Sequence, residues 1–262
     1  MSQTPPQARK LLLGLDLGNT RLGCGVFEGE ELLLRWSLPA SELTEDPEVW
    51  DQNVPEDVLD AIQVALLSSV NPRRAVLVRT SLERRLGKPP LVLGRDVPVP
   101  VPVEVDRPEE VGTDRLLNVL AAFDRCRSAC LIVDLGTALT VDVCSSQGAY
   151  RGGVIAPGMH MASSALHSHT ALLPRVQPKR PATVTGRNTV ECIRSGIFWG
   201  TVATIEGLIQ RLRDEQPDVK RVFATGGGVS DVAAATSVID EVVPDLHLEG
   251  VRLVAQSAGL AR

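Results

Sequence analysis

What the sequence lacks narrows its function first. There is no surplus of positive charge, since 27 Lys and Arg stand against 32 Asp and Glu for a formal net charge of −5. No segment concentrates the basic residues that a nucleic-acid backbone or an anionic membrane surface requires. A small anionic substrate stays open, because a local pocket suffices for it. Long apolar runs are missing too. The longest stretch free of Asp, Glu, Lys and Arg, 152–174, holds Pro157, His160, His167, His169 and several serines, which a lipid-facing helix tolerates poorly. Arg9 and Lys10 ahead of Leu11–Leu15 look briefly like a secretion signal, but Asp16 cuts the run too short. The expectation is a chain with no membrane contact, located in the cytoplasm.

Cysteine is scarce and odd in number, at positions 24, 126, 130, 144 and 192, so no disulfide framework is expected. Cys126 and Cys130 are four apart, yet no second Cys or His pair completes a zinc pattern, and His167 and His169 have no partner set nearby. Buried thiols acting as small apolar side chains are the expectation. Three familiar nucleotide or hydrolase signatures are also absent. Gly87-Lys88 runs into Pro89 and fails the P-loop pattern, and no Gly-x-Gly-x-x-Gly leads from a strand into a helix. No Gly-x-Ser-x-Gly elbow occurs.

What is present is an ordinary globular composition, 44% hydrophobic and 23% charged over 262 residues, enough for one large or two smaller domains. Leu11–Asp16 predicts a buried strand, followed by a turn over 17–20 and an antiparallel meander through Arg21–Phe27 and Glu31–Leu38. Asn53 and Pro55 predict a helix running to about Ser69, with apolar positions at Val58, Ile62, Ala65 and Leu66. A strand is expected over Ala75–Val78. The Pro-rich segment 87–108 reads as an extended connector or sheet edge, because alternating Pro cannot donate to a central ladder. A helix over Thr113–Arg125 follows, then strands at Ala129–Asp134, Leu139–Cys144 and Tyr150–Ile155. Helices over Met159–Leu172 and Val190–Arg213, a strand at Arg221–Ala224 and a Gly226-Gly227-Gly228 turn lead to mixed pieces at the end.

The informative feature is an internal echo. Asp16-Leu17-Gly18-Asn19-Thr20 in the first half matches Asp134-Leu135-Gly136-Thr137 in the second, each after an apolar strand and before a meander. Taken singly, such a turn is a plain hairpin. Taken twice, it predicts a duplicated α/β architecture with two similar domains facing one cleft, 1–112 and 113–262. The chemistry fits a triphosphate. Gly18 lets backbone approach a phosphate, Asn19 and Thr20 carry donors for phosphate oxygens, and Asp16 suits a hydrated Mg2+ that also takes phosphate oxygens. At Gly112-Thr113-Asp114-Arg115 the connector enters a helix. Read blandly this is a helix start, with Asp114 complementing the macrodipole. Beside a phosphate site, Asp114 also suits proton abstraction from a hydroxyl, and Arg115 suits an anionic group.

These segments, with Gly152-Gly153-Val154-Ile155-Ala156-Pro157-Gly158, Gly186-Arg187-Asn188-Thr189, Ser195-Gly196 and Ala224-Thr225-Gly226-Gly227, resemble the type III pantothenate kinases in order and approximate spacing. The resemblance implies duplicated actin-like (ribonuclease H-like) domains, each a mixed sheet with flanking helices, and an ATP cleft between them. It implies transfer of the γ-phosphoryl of ATP to the terminal hydroxyl of pantothenate. In that reading Asp16, Leu17, Gly18, Asn19, Thr20, Arg21, Leu22 and Gly23 form the first phosphate loop and Thr137 contacts ATP from the second. Asp114 accepts the proton, and Gly112, Thr113, Arg115 and Thr189 line the pantothenate pocket. Asp134 holds the monovalent cation, potassium or ammonium, that the family uses beside Mg2+ with ATP, and a homodimer is implied. One departure stands out. Seven residues before Gly112, where the family usually places a Tyr against pantothenate, this chain has Val105. Two alternatives stay open: a catalytically weak or regulatory nucleotide-binding homologue, and a related small-molecule kinase with a different acceptor.

Overall fold

In the computed structural model, which describes residues 10–260, the first meander forms where the apolar alternation predicts it. Strands β1 (Leu11–Leu17), β2 (Arg21–Glu28) and β3 (Glu31–Pro39) pair antiparallel in sequence. On the other side of β1 lies β4 (Ile62–Ser69), parallel to it, with the short β5 (Leu91–Val92) parallel to β4 at the edge. The sheet order is β3-β2-β1-β4-β5. Arg9, which opens the signal-like stretch, lies outside the described residues.

The second sheet repeats that plan. Strands β6 (Cys130–Leu135), β7 (Ala138–Cys144) and β8 (Tyr150–Pro157) form the meander. β9 (Arg221–Thr225) runs parallel to β6 and β10 (Glu241–Val242) parallel to β9, so the order is β10-β9-β6-β7-β8. Replacing β1 by β6, and so on through β5 by β10, maps one order and all its strand senses onto the other. The echo read in the sequence is therefore a duplication of topology.

Two stretches differ from expectation. The helix foreseen from Asn53 to Ser69 is only α2 (Glu56–Asp60), after a four-residue α1 (Glu48–Asp51), and Ile62–Ser69 is strand β4. A parallel strand covered on both faces reads as a near-continuous apolar run, and Ala65, Leu66, Leu67 and Ser68 are buried in succession, so its matches to helical spacing were coincidental. The strand foreseen at Ala75–Val78 lies inside α3 (Pro72–Leu86). Its start signal is Asn71, whose side chain accepts from the Arg74 N–H at 3.2 Å, with Pro72 at the first helical position. Gly87, at φ 72°, ends it in the left-handed conformation. Val78, Ser81 and Leu82 face inward, and the buried Trp50 indole donates to Ser81 Oγ at 3.0 Å.

The remaining helices are α4 (Thr113–Cys126), α5 (Met159–Ser168), α6 (Thr189–Glu215), α7 (Val229–Ala233) and α8 (Leu246–Ser257). α5 stops four residues before the expected Leu172, which is 91% exposed. Two compact units result. The first comprises residues through Pro100, Val111–Leu117 and the chain from His247 on; the second comprises Val101–Glu110 and Asn118–Leu246. Each has its own core. In the first, Leu13, Leu15, Leu22, Leu67 and Leu82 pack around Trp50. In the second, the inward row of α6, from Ile193 through Ile197, Val202, Ile205 and Ile209, packs on Leu131, Val133 and Val141. Among the described residues no helix is long and apolar enough to cross a membrane.

All five cysteines are free thiols, and Cys24, Cys130 and Cys144 are buried. Cys130 and Cys144 are register partners at the end of the second sheet. Cys126, half-buried at the end of α4, is hydrogen-bonded to the Cys130 thiol, which with the Ser128 contacts and the Arg221 charge pulls its pKa down to about 5. Cys130 is pushed far above the ordinary thiol range by its thiol neighbours and by burial. Iodoacetamide at about pH 6.5 should therefore alkylate Cys126 in the folded protein, with a rate nearly flat up to about pH 8. Cys24, Cys130 and Cys144 should react only after unfolding, as peptide mass spectrometry would show. A Cys126 rate that climbs tenfold per pH unit over that range contradicts the assignment.

Candidate active site

In the first unit, β1 ends in Asp16 and Leu17, and the Gly18 N–H donates to the Arg21 carbonyl at 3.0 Å to close the turn into β2. The closure leaves the Asn19 and Thr20 side chains exposed at the tip and Asp16 half-buried at the strand end. The Arg21 guanidinium is tied to the Ser37 hydroxyl, at 2.6 Å, and to its carbonyl, at 3.1 Å. Leu22 is fully buried. Beneath the turn, burial first and the Asp16 carboxylate second raise the Cys24 thiol well above its ordinary pKa, so a neutral thiol underlies a charged carboxylate. Ser68, the register partner of Asp16 on β4, is fully buried and its hydroxyl has no hydrogen-bond partner. Sequence reasoning missed it, because the helix expected there hid the strand pairing.

The start of α4 sits at the same strand ends. The Val70 N–H donates to the Leu17 carbonyl at 3.2 Å, and a Cβ on Gly112 would approach Val70 Cγ1 at 4.0 Å. From Gly112 the helix winds up: its carbonyl accepts from the Arg115 N–H at 3.1 Å, and Asp114 Oδ1 accepts from the same N–H at 2.9 Å. A Cβ on Gly112 would come within 2.4 Å of Asp114 Oδ1, so the glycine leaves that carboxylate its position. Thr113, Asp114 and Arg115 are all half-buried. Asp16, the Gly18–Thr20 tip and the 112–115 segment are thus brought to one edge of the first sheet.

The second unit builds the matching turn. The Gly136 N–H donates to the Ala138 carbonyl at 3.0 Å, Gly136 and Thr137 are exposed, and Asp134 is half-buried at the end of β6. Two outside glycines fit this turn closely. A Cβ on Gly158 would fall 2.5 Å from the carbonyl oxygens of both Gly136 and Thr137. Gly226, at φ 100°, would place a Cβ 2.6 Å from the Leu135 carbonyl and 2.7 Å from Asp134 Oδ1. Asn118 on α4 donates its amide to Asp134 Oδ2 at 3.4 Å. Asn118 was not foreseen either; its one available signal was its place four residues after Asp114 on a predicted helix.

Thr189 is exposed at the first position of α6, whose cap Asn188 accepts from the Glu191 N–H at 3.0 Å. Val105 is not brought to the turn. It lies against Gly152 near the start of β8, where Glu104 pairs with Tyr150 and with Arg151. The Thr137 carbonyl meets Gly158 just past the other end of that strand, ~20 Å away at strand rise. Among the described residues no group of three His, Cys, Asp or Glu side chains could hold a metal ion. A metal here must draw most of its ligands from a bound substrate or solvent, as phosphate-bound Mg2+ does.

Comparison with known proteins points the same way. The sequence profile described as type III pantothenate kinase matches residues 12–211. The type III pantothenate kinase of Syntrophotalea carbinolica is 35% identical over 253 residues, covering 93% of this chain and 98% of the relative. That of Moorella thermoacetica is 37% identical over 249 residues, again 93% and 98%. Among solved structures, component A of the (R)-2-hydroxyglutaryl-CoA dehydratase of Acidaminococcus fermentans superposes with a TM-score of 0.54 at 14% identity, covering 94% of this chain and 96% of its own. That likeness speaks for the fold alone.

The backbone clash at Gly158 yields a stability test. Gly158→Ala should destabilise the protein by ~1–3 kcal/mol, because the atoms it meets are main-chain carbonyls that cannot rotate aside. Gly23→Ala, whose Cβ meets only the Asp16 carbonyl at 3.8 Å, should spare that tight contact. Urea unfolding of both variants decides, and equal stability contradicts the fit.

Proposed function

Because the chain belongs to the type III pantothenate kinase family, we propose that it phosphorylates the terminal hydroxyl of pantothenate with ATP, the first step of coenzyme A biosynthesis, using Asp114 as proton acceptor. The observation that carries the site assignment is the pair of matching turns, each with an Asp at a strand end and a Thr at an exposed tip. Phosphoryl transfer asks a protein mainly for positioning and charge neutralisation. Asn19, Thr20 and the neighbouring backbone from Asp16 to Gly23 hold phosphate oxygens from one turn, and Thr137 holds ATP from the other.

Asp16, an oxygen ligand half-buried at the strand end, fits a Mg2+ that keeps phosphate and water in its other positions. When bound, that ion neutralises charge on the phosphates. Asp134 holds the monovalent cation, potassium or ammonium. Asp114 takes the hydroxyl proton as the oxygen attacks, its carboxylate steadied by the Arg115 N–H. Gly112, Thr113, Arg115 and Thr189 hold the acceptor, and Arg115 suits its carboxylate. Val105 supplies apolar contact to the acceptor in place of the family's aromatic. The reaction belongs to the cytoplasm. A homodimer is supported by apolar side chains left open on the second unit, Ile155, Met161, Leu172 and Val184, which a second copy would cover.

ADP release tests the reading directly. Pantothenate should elicit release where glucose and acetate do not, and equal release with every acceptor contradicts it. Asp114→Asn should keep ATP affinity and lose ~10²–10⁴-fold in turnover. Wild-type turnover in that variant removes Asp114 from the chemistry.

A further inference from the structure

Asn118 is an expensive residue to place where it is. It sits in the interior of α4 and is 1% exposed, and Asn is a poor helix former because its side chain competes for backbone hydrogen bonds. Its amide Nδ2 spends itself on a long 3.4 Å bond to Asp134 Oδ2. Its carbonyl Oδ1 is buried without a hydrogen-bond partner, a state that costs free energy until something satisfies it. A residue kept only to neutralise Asp134 would be Lys or Arg, and one kept only to pack would be Leu. Asn instead brings a spare neutral oxygen to a carboxylate.

The group that satisfies a carboxylate and an amide carbonyl together is a cation. A Cβ on Gly226 would come within 2.7 Å of Asp134 Oδ1 and one on Gly136 within 3.6 Å, so both glycines leave space beside that carboxylate. One negative charge plus one neutral carbonyl suits a singly charged, weakly hydrated ion that accepts carbonyl oxygens in place of water. Among the described residues no second acidic ligand completes a cluster for a divalent ion. We infer that Asn118 Oδ1 is a protein ligand, with Asp134, of a potassium-type monovalent cation; this rests on the reading above that Asp134 holds such an ion.

Thermal unfolding without nucleotide tests it, since an ion that binds only the folded state raises Tm by mass action. For the wild type, KCl should raise Tm beyond equal NaCl with saturation. Asn118→Leu keeps the shape and removes both polar atoms; its half-saturating potassium should rise about tenfold or more. Asn118→Asp restores oxygen without an N–H and should recover potassium binding. A potassium response that survives intact in Asn118→Leu, or one lost equally in the Asp variant, overturns the ligand role, the second outcome showing that the N–H was what mattered. Should the Leu variant fail to fold, the Asp variant alone decides on the same criterion. No potassium-specific rise in the wild type, by contrast, sinks the Asp134 reading itself.

Discussion

Each turn rests on one backbone hydrogen bond donated by its glycine. In each sheet the glycine after the Asp-Leu pair closes a hairpin by donating its N–H at 3.0 Å, Gly18 to the Arg21 carbonyl and Gly136 to the Ala138 carbonyl. The closure stops the ladder with Asp one residue before the end of the central strand and Thr on the tip. It does so at the end of the one strand in each sheet that has an antiparallel partner on one side and a parallel partner on the other. That mixed pairing lets β4 and β9 end beside the same turns, where Ser68 and Thr225 become the register partners of Asp16 and Asp134. Phosphate chemistry needs groups held still before the substrate arrives, and a strand end closed by a backbone bond is a stiff place to hold them.

The two turns are the same device with different supports. The first is backed by a buried thiol, Cys24, and its arginine is fastened to Ser37. The second is packed by backbone on backbone, with Gly158 and Gly226 admitted to distances that a Cβ would forbid.

Much of this was legible in the sequence, and for local reasons. Both meanders, their turns, α4 and α6 follow from alternation, turn residues and capping chemistry close together in the chain. The duplication was visible because the Asp-Leu-Gly signal repeats after an apolar strand. Legibility failed at β4 and α3, where a strand buried on both faces offers no alternation, and where the start at Asn53 and Pro55 opens a helix of only five residues while the longer one is capped at Asn71-Pro72. Ser68 and Asn118 stayed hidden for one reason: each matters through a neighbour distant in sequence, Asp16 across a sheet register and Asp134 across a helix–strand contact. Val105 is a different case. The sequence marks it only through the resemblance to the family, and the register of β8 shows how far it stands from Thr137.

Asn19 and Thr137 are both proposed to hold ATP. Calorimetric titration of a non-hydrolysable ATP analogue with Mg2+ into the wild type, Asn19→Ala, Thr137→Ala and the double variant tests it most directly. A shared ligand predicts one analogue per chain, weaker binding in each single variant, and a double variant weaker than either. Two independent binding events, or wild-type affinity after either single substitution, would contradict it.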